Sequence, residues 1–261
     1  MTPPATPAAA VVVPAAAPAG RRVLAQSVFE ARMILRNGEQ LLVTVVIPVL
    51  ALVGLVQGTF VDVATGGASR VDFLAPGVLA LAVMTASFTS QAIATAFDRR
   101  NGVLRLMATT PLGRGGLLSG KVLGVLAVEA VQVLLLGGAA LALGWRPAAG
   151  GVVLALVGVV LGTAAFTALA LLVAGTLRAE AVLALANLLL LVLALGGGVI
   201  VPADRLPGPL AAVAVWLPSG ALGDVLRGAL LDGTLPLLPV LVLTGWTVVL
   251  GALAARLFRW H

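Results

Sequence analysis

Apolar runs of about 20 residues, repeated along the sequence, leave this chain almost no choice of fold. They fall at about 41–60, 73–96, 121–144, 151–176, 181–201 and 236–256, and a helix of about 20 residues is what crosses roughly 30 Å of hydrocarbon. In lipid every backbone N–H and C=O must find its partner inside the segment, so runs of this length are helices. With 61% hydrophobic and 10% charged residues in 261, the chain is too apolar for a soluble core and too long for a single anchor. The expected fold class is all-α: a polytopic membrane protein with six transmembrane helices.

The same composition excludes several chemistries. No cysteine is present, so there are no disulfides and no thiolate metal sites; the single histidine, His261, gives neither a zinc ligand set nor a histidine base. No metal site and no catalytic residue are therefore expected. The net charge of +6 comes from arginines scattered at the ends of apolar runs, without interleaved aromatic side chains, and no nucleic acid partner is expected.

Topology follows from the charges. Residues 97–121 form a charged island between two apolar runs, carrying Arg99, Arg100, Arg105, Arg114 and Lys121, and such a cluster belongs on the cytoplasmic side. Within it, 101–110 has the length of a short helix that Pro111 stops. Placing the island inside also puts Arg21, Arg22, Arg32, Arg36, Arg178, Arg256 and Arg259 inside. Arg70, Arg146, Arg205 and Arg227 are left outside. Both termini are then cytoplasmic and the chain is a multi-pass protein of the cell (plasma) membrane.

Residues 1–20, proline and alanine without charge, read as a disordered cytoplasmic tail, not a cleaved secretory signal. Residues 21–38 read as an amphipathic helix lying flat at the interface, with Leu24, Val28, Ala31 and Leu35 as its apolar face. Residues 39–261 are then the transmembrane domain. Its outer connection, 202–235, has an apolar stretch too short to cross and breaks at Pro218; it reads as two re-entrant or interfacial helices, the second capped by Ser219 and pairing Asp224 with Arg227. Glycines four apart (Gly54 and Gly58, Gly120 and Gly124, Gly158 and Gly162) predict close helix packing. The stretch Gly115–Lys121 has part of the spacing of a phosphate-binding loop, but Val122 stands where a magnesium-binding serine or threonine is required, and the lysine is expected at the cytoplasmic start of the third span.

The run from Ala96 to Arg114 contains Asp98, Arg99, Arg100, Gly102, Arg105 and Thr110-Pro111-Leu112-Gly113-Arg114, and is followed by Leu118-Ser119-Gly120-Lys121. It resembles the signature of the type-2 ABC exporter permeases, among them drug-resistance, lipid and glycan export subunits. Leu206-Pro207, Leu217-Pro218 and Asp224 to Gly228 are similar to the outer region of that family. The chain departs from it at Asp98, where glutamate is more common, and in its long Pro/Ala tail. The resemblance implies a non-catalytic permease subunit of an ATP-driven exporter. It implies two ABC ATP-binding subunits that hold ATP and Mg, a second permease copy or a different permease chain, and no cofactor in this chain. It also implies that residues 99–110 are a coupling helix, with Asp98, Arg99, Arg100, Gly102, Arg105, Thr110, Pro111 and Arg114 at the ATPase, and that the amphipathic helix makes a second contact through Arg32 and Arg36. The substrate class it implies is an amphiphilic drug, lipid or glycan, moved outward. A haem- or cofactor-delivery or non-transporting permease of the same fold is the alternative, ahead of a membrane-embedded lipid-modifying enzyme.

Polar residues inside the spans are the candidates for a substrate path. Ser87, Gln91 and Thr95 recur at spacing four in the second span, and Asn187 lies in the fifth; the resemblance implies that these two spans border a central cavity. Backbone or interhelical hydrogen bonding is the competing role. Glu129, with Gln132 on the same face, is the one acid within a span, and marks either a buried partner or a pathway.

Overall fold

The structure, a computed structural model, describes residues 16–58 and 67–258, without the side chains of Glu39 and Arg114. Most of the expected tail lies outside the described residues, and its last two positions, Ala19 and Gly20, already belong to α1 (Ala19–Leu35). The first apolar run is continuous helix over 38–57: α2 (Gly38–Leu41), a π-helical turn Leu42–Val46, and α3 (Ile47–Gln57). The second is a 31-residue helix made of α4 (Arg70–Met84), a π-helical turn Thr85–Ser90 and α5 (Gln91–Arg100). A short α6 (Val103–Ala108) leads to α7 (Gly113–Ala142), α8 (Gly151–Thr176) and α9 (Ala179–Gly196). Then come α10 (Gly208–Ala214) and α11 (Pro218–Leu230), bent by 80° against each other, and α12 (Leu237–Leu257). No strand occurs among the described residues. Five helices are long and apolar enough to span a membrane, six if the bent pair α10 and α11 is counted as one; the first of the expected spans is not among them, because its apolar helix, Leu42–Gln57, is shorter. The chain is a multi-pass, all-α membrane protein.

Several boundaries differ from the expected ones, each for a local reason. The third spanning helix starts at Gly113, not at 121, because Pro111 ends the preceding turn and nothing in Gly113–Ser119 stops a new helix. Lys121 is therefore two turns inside a helix and fully buried, not at a water interface. The helix of the loop covers 103–108 rather than 99–110. Arg99 and Arg100 complete α5, and Gly102, at φ 78°, supplies the left-handed residue that breaks the chain between α5 and α6. Ser219 does not cap α11: the helix begins at Pro218, and Ser219 Oγ donates to Gly197 O at 2.9 Å.

Glycine decides the packing at two places. At Gly158 and Gly162 of α8, an added Cβ would stand 2.7 Å from Val225 and 2.8 Å from Leu222, so α11 lies directly on α8. At Gly120 and Gly124 of α7, it would meet Gln26 at 2.5 Å and Glu30 at 2.7 Å, so α1 occupies that groove. Gly54, by contrast, faces open space. α8 is the hub, packed against α5, α7, α11 and α12.

α1 is not simply an apolar face laid on a lipid surface. Its face buried against the protein is Ser27, Glu30, Ala31 and Ile34, whereas Leu24, Val28 and Leu35 of the expected apolar face are exposed. The helix thus offers Ser27, Glu30, Ala31 and Ile34 to the protein, the last two packing with Val128 of α7, and leaves Leu24, Val28 and Leu35 to the surroundings.

Arg227 is likewise buried, not a surface partner of Asp224. Its guanidinium donates to Val199 O at 2.7 Å, Gly198 O at 2.6 Å and Asp224 Oδ1 at 2.8 Å, tying the non-helical turn after α9 to α11. Carbonyls of irregular backbone buried in a membrane protein need donors, and this one side chain supplies two of them. Arg227→Met is expected to cost about 2 kcal/mol through the charged hydrogen bonds lost, read as an earlier thermal transition of the purified protein; an unchanged transition would mean that water already satisfies those carbonyls.

Candidate coupling interface

The charged island and the start of α1 meet at one end of the bundle. α6 is only six residues long, but it is held firmly: Leu104 is fully buried in a small core with Leu117, Leu171, Ala254 and Phe258, so α6 rests on the ends of α7, α8 and α12. Arg105 and Leu106 point outward, and Leu106 is 71% exposed. The hydroxyls of Thr109 and Thr110 donate to the carbonyls of Leu106 and Met107 at 2.7 and 2.6 Å, closing the end of α6 before Pro111. Beside it an open groove of about 410 Å³ runs between α1 and the following turn, lined by Ala17, Arg22, Ala25, Gln26 and Thr110–Leu112.

Behind this surface lies a charged cluster that draws on three helices. Glu30 of α1 and Lys121 of α7 form an ion pair at 2.8 Å, with both side chains buried. Gln26 Nε2 donates to the same Glu30 oxygen at 2.8 Å. Asp98 of α5 is half-buried, and the charges that act on it are those of Lys121 and Glu30. One ammonium thus pairs with the Glu30 carboxylate and also acts on that of Asp98. A helix packed in a smooth glycine groove could slide along it; a buried ion pair fixes one register.

Two of the arginines expected to face a partner, Arg99 and Arg100, make contacts within the chain. Arg99 donates to Leu177 O just after α8, and Arg100 pairs with Glu180 in the first turn of α9 at 2.7 Å. The Arg100–Glu180 pair is exposed on both sides and contributes little. Arg32 on α1 and Arg36 just after it are exposed, but the groove is lined instead by Arg22 and Gln26. Sequence reasoning missed these two and the Glu30–Lys121 pair. The available signal was a lysine between Gly120 and Gly124 in a largely apolar helix, which needs a nearby acid.

The interior candidates do not assemble into one open site. Ser87 Oγ donates back to Val83 O at 2.5 Å, and Asn187, exposed, donates to Leu183 O at 2.9 Å. Gln132 donates to Thr44 O in the first span, where a π-helical turn frees carbonyls from the regular ladder. Glu129 Oε2 lies 2.5 Å from Thr163 Oγ1, which is also 2.7 Å from Val159 O. Gln91 and Thr95 are fully buried, and their side-chain polar atoms have no hydrogen-bond partner among the described residues. Among the described residues there is no cluster of acids or histidines able to hold a metal ion.

A search of curated proteins finds no significant match. The family model described as ABC-2 type transporter matches residues 23–231, a stretch that runs from α1 through α11.

Proposed function

The chain belongs to the ABC-2 type transporter family, and from that premise, which makes it the transmembrane permease of an ABC transporter, we propose that it works as an exporter driven by separate ATP-binding subunits. Two such subunits dock at the end carrying α6, which is then the cytoplasmic end. A second permease, either another copy or a different chain, completes the complex in the plasma membrane. The substrate is an amphiphilic drug, lipid or glycan.

The observation that carries this reading is the convergence at one surface of exposed Leu106 and Arg105 on α6 with the groove between α1 and Thr110–Leu112. Both walls are rigidly joined to spanning helices: α6 through Leu104, α1 through Glu30 and Lys121. A partner that closes on this surface would move α7 directly, whereas a loose loop would absorb the displacement. Of the residues expected at the ATPase, Arg105, Thr110 and Pro111 stand at this surface. Asp98, Arg99 and Arg100 act behind it, positioning α5 against α7 and α9.

The test is co-purification from native membranes. An ABC ATP-binding subunit is expected in stoichiometric amount with the wild-type chain, and Leu106→Glu, which places a charge on an exposed apolar contact, is expected to reduce it at least about tenfold while leaving the thermal transition of the permease unchanged. If no ATP-binding subunit accompanies the wild-type chain, the reading fails.

A further inference from the structure

Between the middles of α7 and α8, a chain of three oxygens needs one more proton than its hydroxyl can supply. Glu129 of α7 and Thr163 of α8 are buried. Glu129 Oε2 lies 2.5 Å from Thr163 Oγ1, which lies 2.7 Å from Val159 O. Both are hydrogen-bond distances, and each needs a proton between its oxygens. A threonine hydroxyl has one to give, and a backbone carbonyl has none. Elsewhere in the helices that proton goes to the carbonyl four residues back: Thr44 donates to Gln40 O at 2.7 Å, Thr85 to Leu81 O at 2.8 Å and Thr244 to Val240 O at 2.7 Å. With Thr163 donating to Val159 O in the same way, the proton between Thr163 and Glu129 belongs to the carboxyl group.

An ionised Glu129 accepting from Thr163 would meet nothing that holds its charge. A buried carboxylate requires a cation or several donors. The other oxygen, Oε1, has no hydrogen-bond partner among the described residues, and no ion pair among them includes Glu129. Of the elements packed against α7, α8, α3 and the two π-helical turns contain no charged residue. The charges of α1 are Arg21, Arg22, Glu30 and Arg32, and those of α4 are Arg70 and Asp72. Glu30 is paired with Lys121, Arg70 donates to Leu55 O, and Asp72 accepts from Ser69 Oγ and Arg146 N. Ionisation would also oblige Thr163 to turn its proton away from Val159 O, leaving two oxygens 2.7 Å apart with no proton between them.

We propose that Glu129 is a proton-binding site: at neutral pH it is an uncharged carboxylic acid, Oε2–H donating to Thr163 Oγ1 and Thr163 donating on to Val159 O. The bound proton joins α7 to α8; without it a lone carboxylate would stand in the contact between the two helices. The site lies within one copy of the chain and does not depend on the transport reading.

The test is the infrared spectrum of the full chain in lipid nanodiscs at neutral pH, grown with glutamate that carries heavy carbon in its side-chain carboxyl. The label separates the glutamates from the aspartates, and of the glutamates Glu30 and Glu180 are paired with cations. A C=O stretch of a protonated carboxylic acid that moves with the label is expected in the wild type and in Glu39→Gln. It is expected to be absent from Glu129→Gln, whose amide can donate to Thr163 from the same place. Thr163→Val removes the acceptor, so the band is expected to remain and to shift to higher frequency, as that of a carboxylic acid does when it loses its hydrogen bond. This shift, together with the Glu39→Gln spectrum, serves if Glu129→Gln does not fold. A wild-type spectrum without a label-sensitive band of this kind, a band that persists in Glu129→Gln, or one that disappears in Glu39→Gln overturns the proposal. A band that does not move in Thr163→Val overturns the assignment of Thr163 as the acceptor, and with it the link between α7 and α8.

Discussion

Lys121→Met is expected to destabilise the protein by about 3–5 kcal/mol, the usual cost of leaving one partner of a buried ion pair alone. The ammonium it removes is fully buried and is the counter-charge of Glu30 at 2.8 Å; it also acts on Asp98. With Met in its place, the carboxylates of Glu30 and Asp98 lose that cation, and among the described residues Gln26 is the remaining side-chain donor to Glu30. For a chain of this size the penalty corresponds to a fall of about 6–20 °C in the thermal transition, taking the scale of globular proteins, and it can be followed by the fluorescence of the chain's own tryptophans. The double variant Glu30→Gln with Lys121→Met removes both charges and keeps the length of both side chains, and much of the loss should be regained, because a buried pair is often no better than a neutral replacement of its own shape. If Lys121→Met melts with the wild type, the pair is hydrated and does not hold α1 in register. If the double variant is as unstable as the single one, shape and not charge is what Lys121 supplies.

This pair also shows where sequence reading stops. The spanning helices were legible because hydrocarbon imposes a length and forbids unpaired backbone, two constraints that act on each segment separately. The family resemblance was legible from the loop 97–121, whose residues recur as a local pattern. What could not be read was which helix meets which. Lys121 looked like an interface lysine because the apolar run begins there; its partner is 91 positions away, as Glu30 to Lys121 counts. The amphipathic pattern of α1 predicted the helix and left Leu24, Val28 and Leu35 outward, but periodicity did not show that Ser27, Glu30, Ala31 and Ile34 pack against the protein. Arg227 has the same lesson. Beside Asp224 it resembles a surface pair, yet the backbone carbonyls of residues 198 and 199, set free by a turn that no local pattern specifies, claim its guanidinium.

Gly220→Ala is expected to be among the most damaging single-methyl additions in the chain. A Cβ there would lie 2.1 Å from Ala214 O and 3.1 Å from Gly197 O, both backbone atoms that no rotamer change can move aside. Over-packing a core commonly costs about 1–3 kcal/mol. Here relief requires either opening the 80° bend between α10 and α11 or pushing away the end of α9, which would break the Ser219 to Gly197 hydrogen bond, so a loss of about 3 kcal/mol or more is expected. Gly138→Ala is the control. It sits within α7 with nothing near its Cβ, and replacing glycine by alanine in a helix interior should stabilise by about 0.5–1 kcal/mol. The two variants add the same atom to the same residue type, so any difference between their thermal transitions measures the surroundings alone. If Gly220→Ala retains the wild-type transition, the approach of α11 to the turn after α9 is looser than 2.1 Å implies, and the bent pair can move as a unit. If it falls as expected while Gly138→Ala rises, the end opposite the coupling interface is a rigid plate: α11 is locked to α8 through Gly158 and Gly162 and to the end of α9 through Gly220 and Arg227. A displacement applied at α1 and α6 would then have to be expressed as tilting of whole helices against that plate, since its own turns leave no room to deform.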